Sequence, residues 1–224
     1  YGQVSPISPI PKTPVSYTNL NVGMSYQMIL VASILCGYIV TIAAPFSGRI
    51  FRSRAGLVLG FYPLVIFIQV MVMMVAGSPM EPPLLRIPWV PSFNLWLSFR
   101  LDGLTLLMAA IISGIGALVI WYGSAYLHDH VHLSRFHGLT FLFMTSMLGL
   151  VISDNALLFF IFWELTSIFS FFLIGFNHQE SASRAAAWQA LLVTGGGGLV
   201  LLAGLVIISF ITGSFEISTW MTMA

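Results

Sequence analysis

Apolar residues run in long unbroken stretches along this chain, and short polar or proline-rich pieces separate them. The stretches cover roughly 26–46, 56–76, 103–124, 138–153, 155–176 and 187–212. Each is near the roughly 20 residues a helix needs to cross a bilayer core of about 30 Å. None shows the period-two alternation of a membrane barrel, so the pattern predicts a bundle of about six transmembrane helices. The fourth stretch is the shortest. Only Ser153-Asp154-Asn155 separates it from the fifth, so those two helices are expected to form a tight hairpin.

The polar pieces complete the organisation. Residues 1–25 hold Pro6, Pro9, Pro11 and Pro14 among Ser and Thr and read as an extended surface tail. They lack the order of a cleaved signal peptide, and the first span is suited to be an uncleaved anchor. Residues 26–76 carry the first two spans. Residues 77–102, with Pro82, Pro83, Pro88, Pro91, Trp89 and Trp96, suit an extended extramembrane connection at the headgroup level. Residues 103–213 hold spans three to six, and 214–224 form a C-terminal tail. Arg49, Arg52, Arg54, Arg135 and Arg184 fall on one side of the membrane, against Lys12, Arg86 and Arg100 on the other. The positive-inside rule then puts both termini on the non-cytoplasmic side.

Composition removes other classes. Hydrophobic residues make up 58 % of the chain, charged residues 7 %, and the mean hydropathy is +0.97, values outside the range of soluble domains. A net charge of +1 and one cysteine, Cys36, argue against nucleic-acid binding and a secreted disulfide scaffold. Cys36 reads as a packing residue.

Against this background Glu164 is the one charge in its span, near the expected midplane. An ionised carboxylate there costs on the order of 3 kcal/mol, so a proton or ion site is the leading reading. Burial disfavours a carboxylate anion and a nearby cation favours it, so a site alternating between the two takes up and releases a proton. A neutral glutamic acid bonded to a neighbouring helix is the structural alternative. Thr166, Ser167 and Ser170 follow, and Ser167, at i+3, is suited to hold a water or share a proton. No Lys or Arg lies inside the six stretches, so a basic partner must come from elsewhere.

Other polar features carry weaker signals. His128-Asp129-His130-Val131-His132 with His137 contains metal-ligand types, yet alternating histidines converge only in extended geometry and no cysteine joins them. A solvated connection is the leading reading, ahead of a proton-collecting surface and of a metal site. Gly195, Gly196, Gly197 and Gly198 lie inside an apolar span with no following Lys-Ser or Lys-Thr, so they are no phosphate loop; helix packing is the leading reading, and a hinge or a water-lined opening is the alternative. Asp102 and Asp154 stand where helices begin and read as caps.

Phe99-Arg100-Leu101-Asp102-Gly103-Leu104, Ser153-Asp154-Asn155, Phe162-Trp163-Glu164-Leu165-Thr166-Ser167 and Ala190-Leu191-Leu192-Val193-Thr194 occur in that order. They resemble the N-terminal part of an antiporter-like subunit, above all the large A-type subunit of Mrp multi-subunit cation/proton antiporters. That superfamily includes the distal pumping subunits of respiratory complex I. The resemblance implies a prokaryotic plasma-membrane location and a transporter subunit rather than an enzyme. It also implies that Glu164 pairs with a lysine on a seventh helix, which belongs to a longer subunit or a companion polypeptide. Partners are then other membrane subunits, lipid, protons and monovalent cations such as sodium. No cofactor is expected. The alternatives are a pumping subunit of a redox-driven complex, either complex I or a membrane-bound hydrogenase, and a non-conducting assembly scaffold.

Overall fold

The computed structural model describes residues 28–41, 55–76, 84–90, 95–127 and 132–223. The proline-rich start, the Arg49, Arg52 and Arg54 loop and the His128 to His130 part of the histidine run lie outside the described residues.

Helices α1 (Met28–Thr41), α2 (Ala55–Ala76), α3 (Gly103–Tyr126), α4 (Leu133–Ile152), α5 (Ala156–Ile174) and α6 (Ser181–Thr212) follow the apolar stretches. Among the described residues α2 to α6 are long and apolar enough to cross a membrane, while the described part of α1 is shorter. The protein is a helical multi-pass membrane protein. Consecutive helices from α2 to α6 pack side by side. α4 is central: half of its most apolar stretch is buried within the chain, against 6 % for α6, whose main neighbour is α5. Its inner face carries Phe141, Met144, Leu148 and Ile152. Tyr38 of α1 meets Ser146 of α4 at 3.1 Å, and Tyr62 of α2 donates to the Ser33 carbonyl, so α1 is tied to both.

Two helices begin earlier than the hydropathy pattern marks. α4 starts at Leu133, ahead of the expected 138, and takes Arg135 and His137 into its first turns. α6 starts at Ser181, ahead of 187, and takes in Arg184. Hydropathy ends where lipid ends, whereas helical hydrogen bonding continues through the interface wherever the residues are good helix formers.

Within the 77–102 connection, residues 84–90 and 95–100 are paired strands rather than a lone extended segment. β1 (Leu84–Val90) and β2 (Leu95–Arg100) form an antiparallel hairpin with Leu85 opposite Phe99 and Ile87 opposite Leu97. Its register shifts between Pro88 and Val90, where proline has no N–H to give. The C-terminal tail is likewise structured: Gly213, at φ 69°, ends α6 in the left-handed conformation that favours glycine, and α7 (Ile217–Met223) follows.

Hairpin, α4–α5 turn and α6–α7 turn meet at one end of the bundle. Phe99 bridges Ser153 and Asn155 bridges Glu216. The Asp154 N–H donates to the Ser98 carbonyl at 2.8 Å, Ala156 N–H to Phe215 at 2.8 Å, and Ile217 N–H to Asp154 at 2.7 Å. These bonds satisfy backbone groups that the tight turn would otherwise leave buried and unpaired.

Candidate functional site

Glu164 stands about 12 Å along α5 from Ala156, as expected of a residue near the middle of a spanning helix. Its carboxylate turns toward α6. A Cβ placed on Gly198 would collide with Glu164 Oε1, and would lie 3.4 Å from Nε1 of Trp163. Only a residue without a side chain leaves that notch open at this depth. Glu164 Oε1 and Trp163 Nε1 are both buried with no hydrogen-bond partner among the described residues. An acceptor and a donor therefore face one glycine notch, and such buried polar atoms call for an explanation in function.

The hydroxyls beside Glu164 are turned away. Thr166 Oγ1 donates to the Trp163 carbonyl at 2.7 Å and Ser167 Oγ to the same carbonyl at 3.2 Å. Ser170 Oγ donates to the Ser167 carbonyl at 2.9 Å. Back-bonding onto the helix's own carbonyls is the usual outcome for Ser and Thr in apolar surroundings. Among the described residues the Ser167 hydroxyl thus donates to its own helix's backbone.

His137 is drawn into the bundle instead of the solvated connection. It is 2 % exposed, and its Nε2 lies 2.7 Å from Ser124 Oγ of α3, beside Gly56 of α2. Ser124 rather than Glu164 engages it. His130 lies outside the described residues.

The two aspartates do different jobs. Asp102 caps α3 through Oδ1, which accepts from Thr105 N–H at 2.8 Å, and Arg100 Nε lies 3.6 Å from Oδ2. At α5 the cap is Asn155, which accepts from Leu157 N–H and Leu158 N–H. Asp154 turns to α7: Oδ1 accepts from Ser218 N–H at 3.1 Å and Oδ2 from Ser218 Oγ at 2.6 Å. The distant Ser218 could not be anticipated from spacing.

Glu216 is a further buried carboxylate beside Asp154, and the hydropathy pattern does not mark it. Oε1 accepts from Ser98 Oγ at 2.8 Å, and Arg86 Nη2 lies 3.8 Å from Oε2. Burial pushes its carboxyl above the usual range; the Ser98 hydroxyl, the Arg86 guanidinium and Asn155 pull it back. Its one sequence signal is its isolation, as the only charge after Arg184.

Comparison with known proteins places this geometry in a family. Residues 87–137 match the family model described as NADH-ubiquinone oxidoreductase (complex I), chain 5 N-terminus. Residues 153–224 match that described as NADH:quinone oxidoreductase/Mrp antiporter, TM. A probable K(+)/H(+) antiporter subunit of the A/B type from Rhizobium meliloti (strain 1021) is 46 % identical over 132 residues, 59 % of this chain and 13 % of that protein. An Na(+)/H(+) antiporter subunit of the A1 type from Staphylococcus aureus (strain bovine RF122 / ET3-1) is 40 % identical over 155 residues, 69 % of this chain and 19 % of the relative. This chain thus spans less than a fifth of the length of either.

Among solved structures, one chain of the Mrp complex from Dietzia sp. DQ12-45-1b superposes with a TM-score of 0.74 at 29 % identity, over 85 % of this chain and 20 % of that one. The membrane-bound sulfane sulfur reductase, an archaeal respiratory membrane complex, shares the fold, with a TM-score of 0.66 at 18 % identity over 84 % of this chain and 38 % of that one. The chain belongs to the antiporter-like family of membrane subunits that the two matched models describe, and it resembles the N-terminal part of the A-type subunit of Mrp antiporters.

Proposed function

We propose that this chain works within a multi-subunit monovalent cation/proton antiporter, where Glu164 takes up and releases the proton. The observation that carries the reading is the Glu164 Oε1 atom, buried at the Gly198 notch and unpartnered among the described residues. A carboxylate in such a place is tolerated neutral, and is tolerated ionised when a cation or a hydrogen-bond donor comes to it. Trp163 Nε1 is a donor at the same notch. A lysine outside these residues, on another part of the subunit or a companion polypeptide, supplies the cation across the α6 face. Other membrane subunits complete the path, and both termini lie outside the cytoplasm. Relatives 46 % and 40 % identical are named as antiporter subunits, which supports antiport over a redox-driven pump.

The test is exchange in the assembled complex carrying Glu164→Gln or Glu164→Asp. Gln keeps the size and removes the titration, so exchange is expected to fall to background while subunits still co-purify; Asp is expected to retain part of it. Wild-type exchange by Glu164→Gln would sink the reading and leave Glu164 a packing residue of a scaffold.

A further inference from the structure

α3 and α5 flank α4, and an apolar groove runs between them. Its inner part, about 430 Å³, is lined by Ile112, Ile115, Thr140 and Met144. Its outer part, about 550 Å³, is lined by Tyr122, Tyr126 and Phe176. Val119, Phe136 and Leu173 line both, so the two are continuous. From Ile111 to Leu127 the groove follows α3 for about 24 Å. A single leaflet of hydrocarbon is about 15 Å deep, so an acyl chain fits within that length.

The mouth is basic and aromatic. The Arg135 guanidinium stands 5.7 Å over the Phe176 ring, and its Nη1 lies 3.4 Å from His178 Nδ1. The His132 ring is 6.4 Å from that of His178. Arg184 donates to the carbonyls of His178 and Gln179, and the nearby carboxylate, Glu180, accepts from Asn177 at 2.6 Å. At the same end Tyr122 and Tyr126 stack at 5.8 Å, exposed by 71 % and 74 %. Amphipathic rings and a cation at this level are the furniture of a headgroup zone, and basic pockets between spanning helices hold anionic headgroups.

We propose that this groove binds an anionic phospholipid, with one acyl chain along α4 between α3 and α5 and the phosphate held by Arg135, beside His132 and His178. The acyl chain gains little over bulk lipid, which is equally apolar. Selectivity therefore rests on the headgroup. A juxtamembrane basic residue contributes about 1 kcal/mol toward anionic lipid, so a preference of about fivefold per arginine is expected.

The experiment uses the assembled complex in nanodiscs with a photoactivatable phosphatidylglycerol carrying the reactive group on its acyl chain. Labelling is expected on α3 between residues 111 and 127, with dioleoylphosphatidylglycerol competing about fivefold better than dioleoylphosphatidylcholine. Arg135→Gln, on the exposed rim, should bring the two competitors close to parity. Val119→Trp, which fills the shared waist, should remove the labelling whichever competitor is present. Equal competition in the wild-type complex, or labelling that neither substitution changes, would overturn the site. Labelling of other segments of the complex with α3 left unlabelled would do the same.

Discussion

The Glu164 carboxylate and the Gly198 backbone meet across the α5–α6 interface so closely that a methyl group on Gly198 would occupy the place of Oε1. Gly198→Ala is therefore expected to turn the carboxylate out of its notch. In the assembled complex, exchange should fall about as far as with Glu164→Gln while α6 stays helical, since Gly→Ala favours a helix by about 1 kcal/mol. Gly196→Ala is the contrast, because a Cβ there meets nothing within 4 Å in this chain. Equal effects of the two substitutions on Glu164 accessibility, read by carboxyl-specific labelling, would show that the notch does not set its position.

Gly149 of α4 and Phe162 of α5 make a second close approach, one purely of packing. A Cβ at Gly149 would meet the Phe162 ring edge, which is buried at 6 % exposure. Gly149→Ala should destabilise the α4–α5 hairpin by about 1–3 kcal/mol, the usual cost of overpacking. Adding Phe162→Leu should return part of that loss. Thermal unfolding of the detergent-solubilised complex reads both, and strict additivity would argue against the contact.

Asp154 and Ser218 tie the α4–α5 turn to α7 by two bonds to a carboxylate. Asp154→Ala is expected to cost about 1.5–3 kcal/mol for a charge-assisted bond and to release α7. Limited proteolysis should then cut within residues 217–223 while α5, capped separately by Asn155, keeps its protection. Ser218→Ala should do less harm, and the double variant little more than Asp154→Ala alone.

Glu216 makes the same junction sensitive to pH, and the sign follows from its raised pKa. The folded junction holds the proton more tightly than the unfolded chain does. The stability this gives is complete below the ordinary carboxyl range near 4.5 and is lost as pH rises through the higher folded value. Hydrogen exchange at the Asp154 and Ala156 amides, corrected for its intrinsic pH dependence, should therefore quicken over that interval. Glu216→Gln should flatten the dependence and keep protection high. The opposite slope would mean that Arg86 outweighs burial.

Much of this architecture was legible in the order of apolar residues. α2, α3 and α5 begin and end near the limits of their hydropathy, because leaving backbone polar groups unpaired in lipid makes helix the economical form for a long apolar run. Glu164 stood out for the same reason, as a charge where charge is expensive. Asp102 before Gly103 also read correctly as a cap position, since its partner, Thr105, is three residues away. Where a signal needed a partner far along the chain, it could not be read. β1 pairs with β2, Asp154 bonds a residue 64 positions later, and Ser98 meets Glu216 across 118. His137 looked like part of a solvated histidine run, and only the approach of α2 and α3 to α4 buries it against Ser124.

The order of residues was thus enough to establish that the chain crosses a membrane as helices, roughly where they lie, and that Glu164 is out of place among them. Those are properties of single residues summed along the chain, and transfer from water to lipid depends on nothing else. Helix packing was needed to fix which way Glu164 faces, that Gly198 and not its three neighbouring glycines receives it, and that Asp154 and Glu216 are buried at the rim. Each of these is a relation between helices, and it exists only once the fold has brought distant residues within a few ångströms.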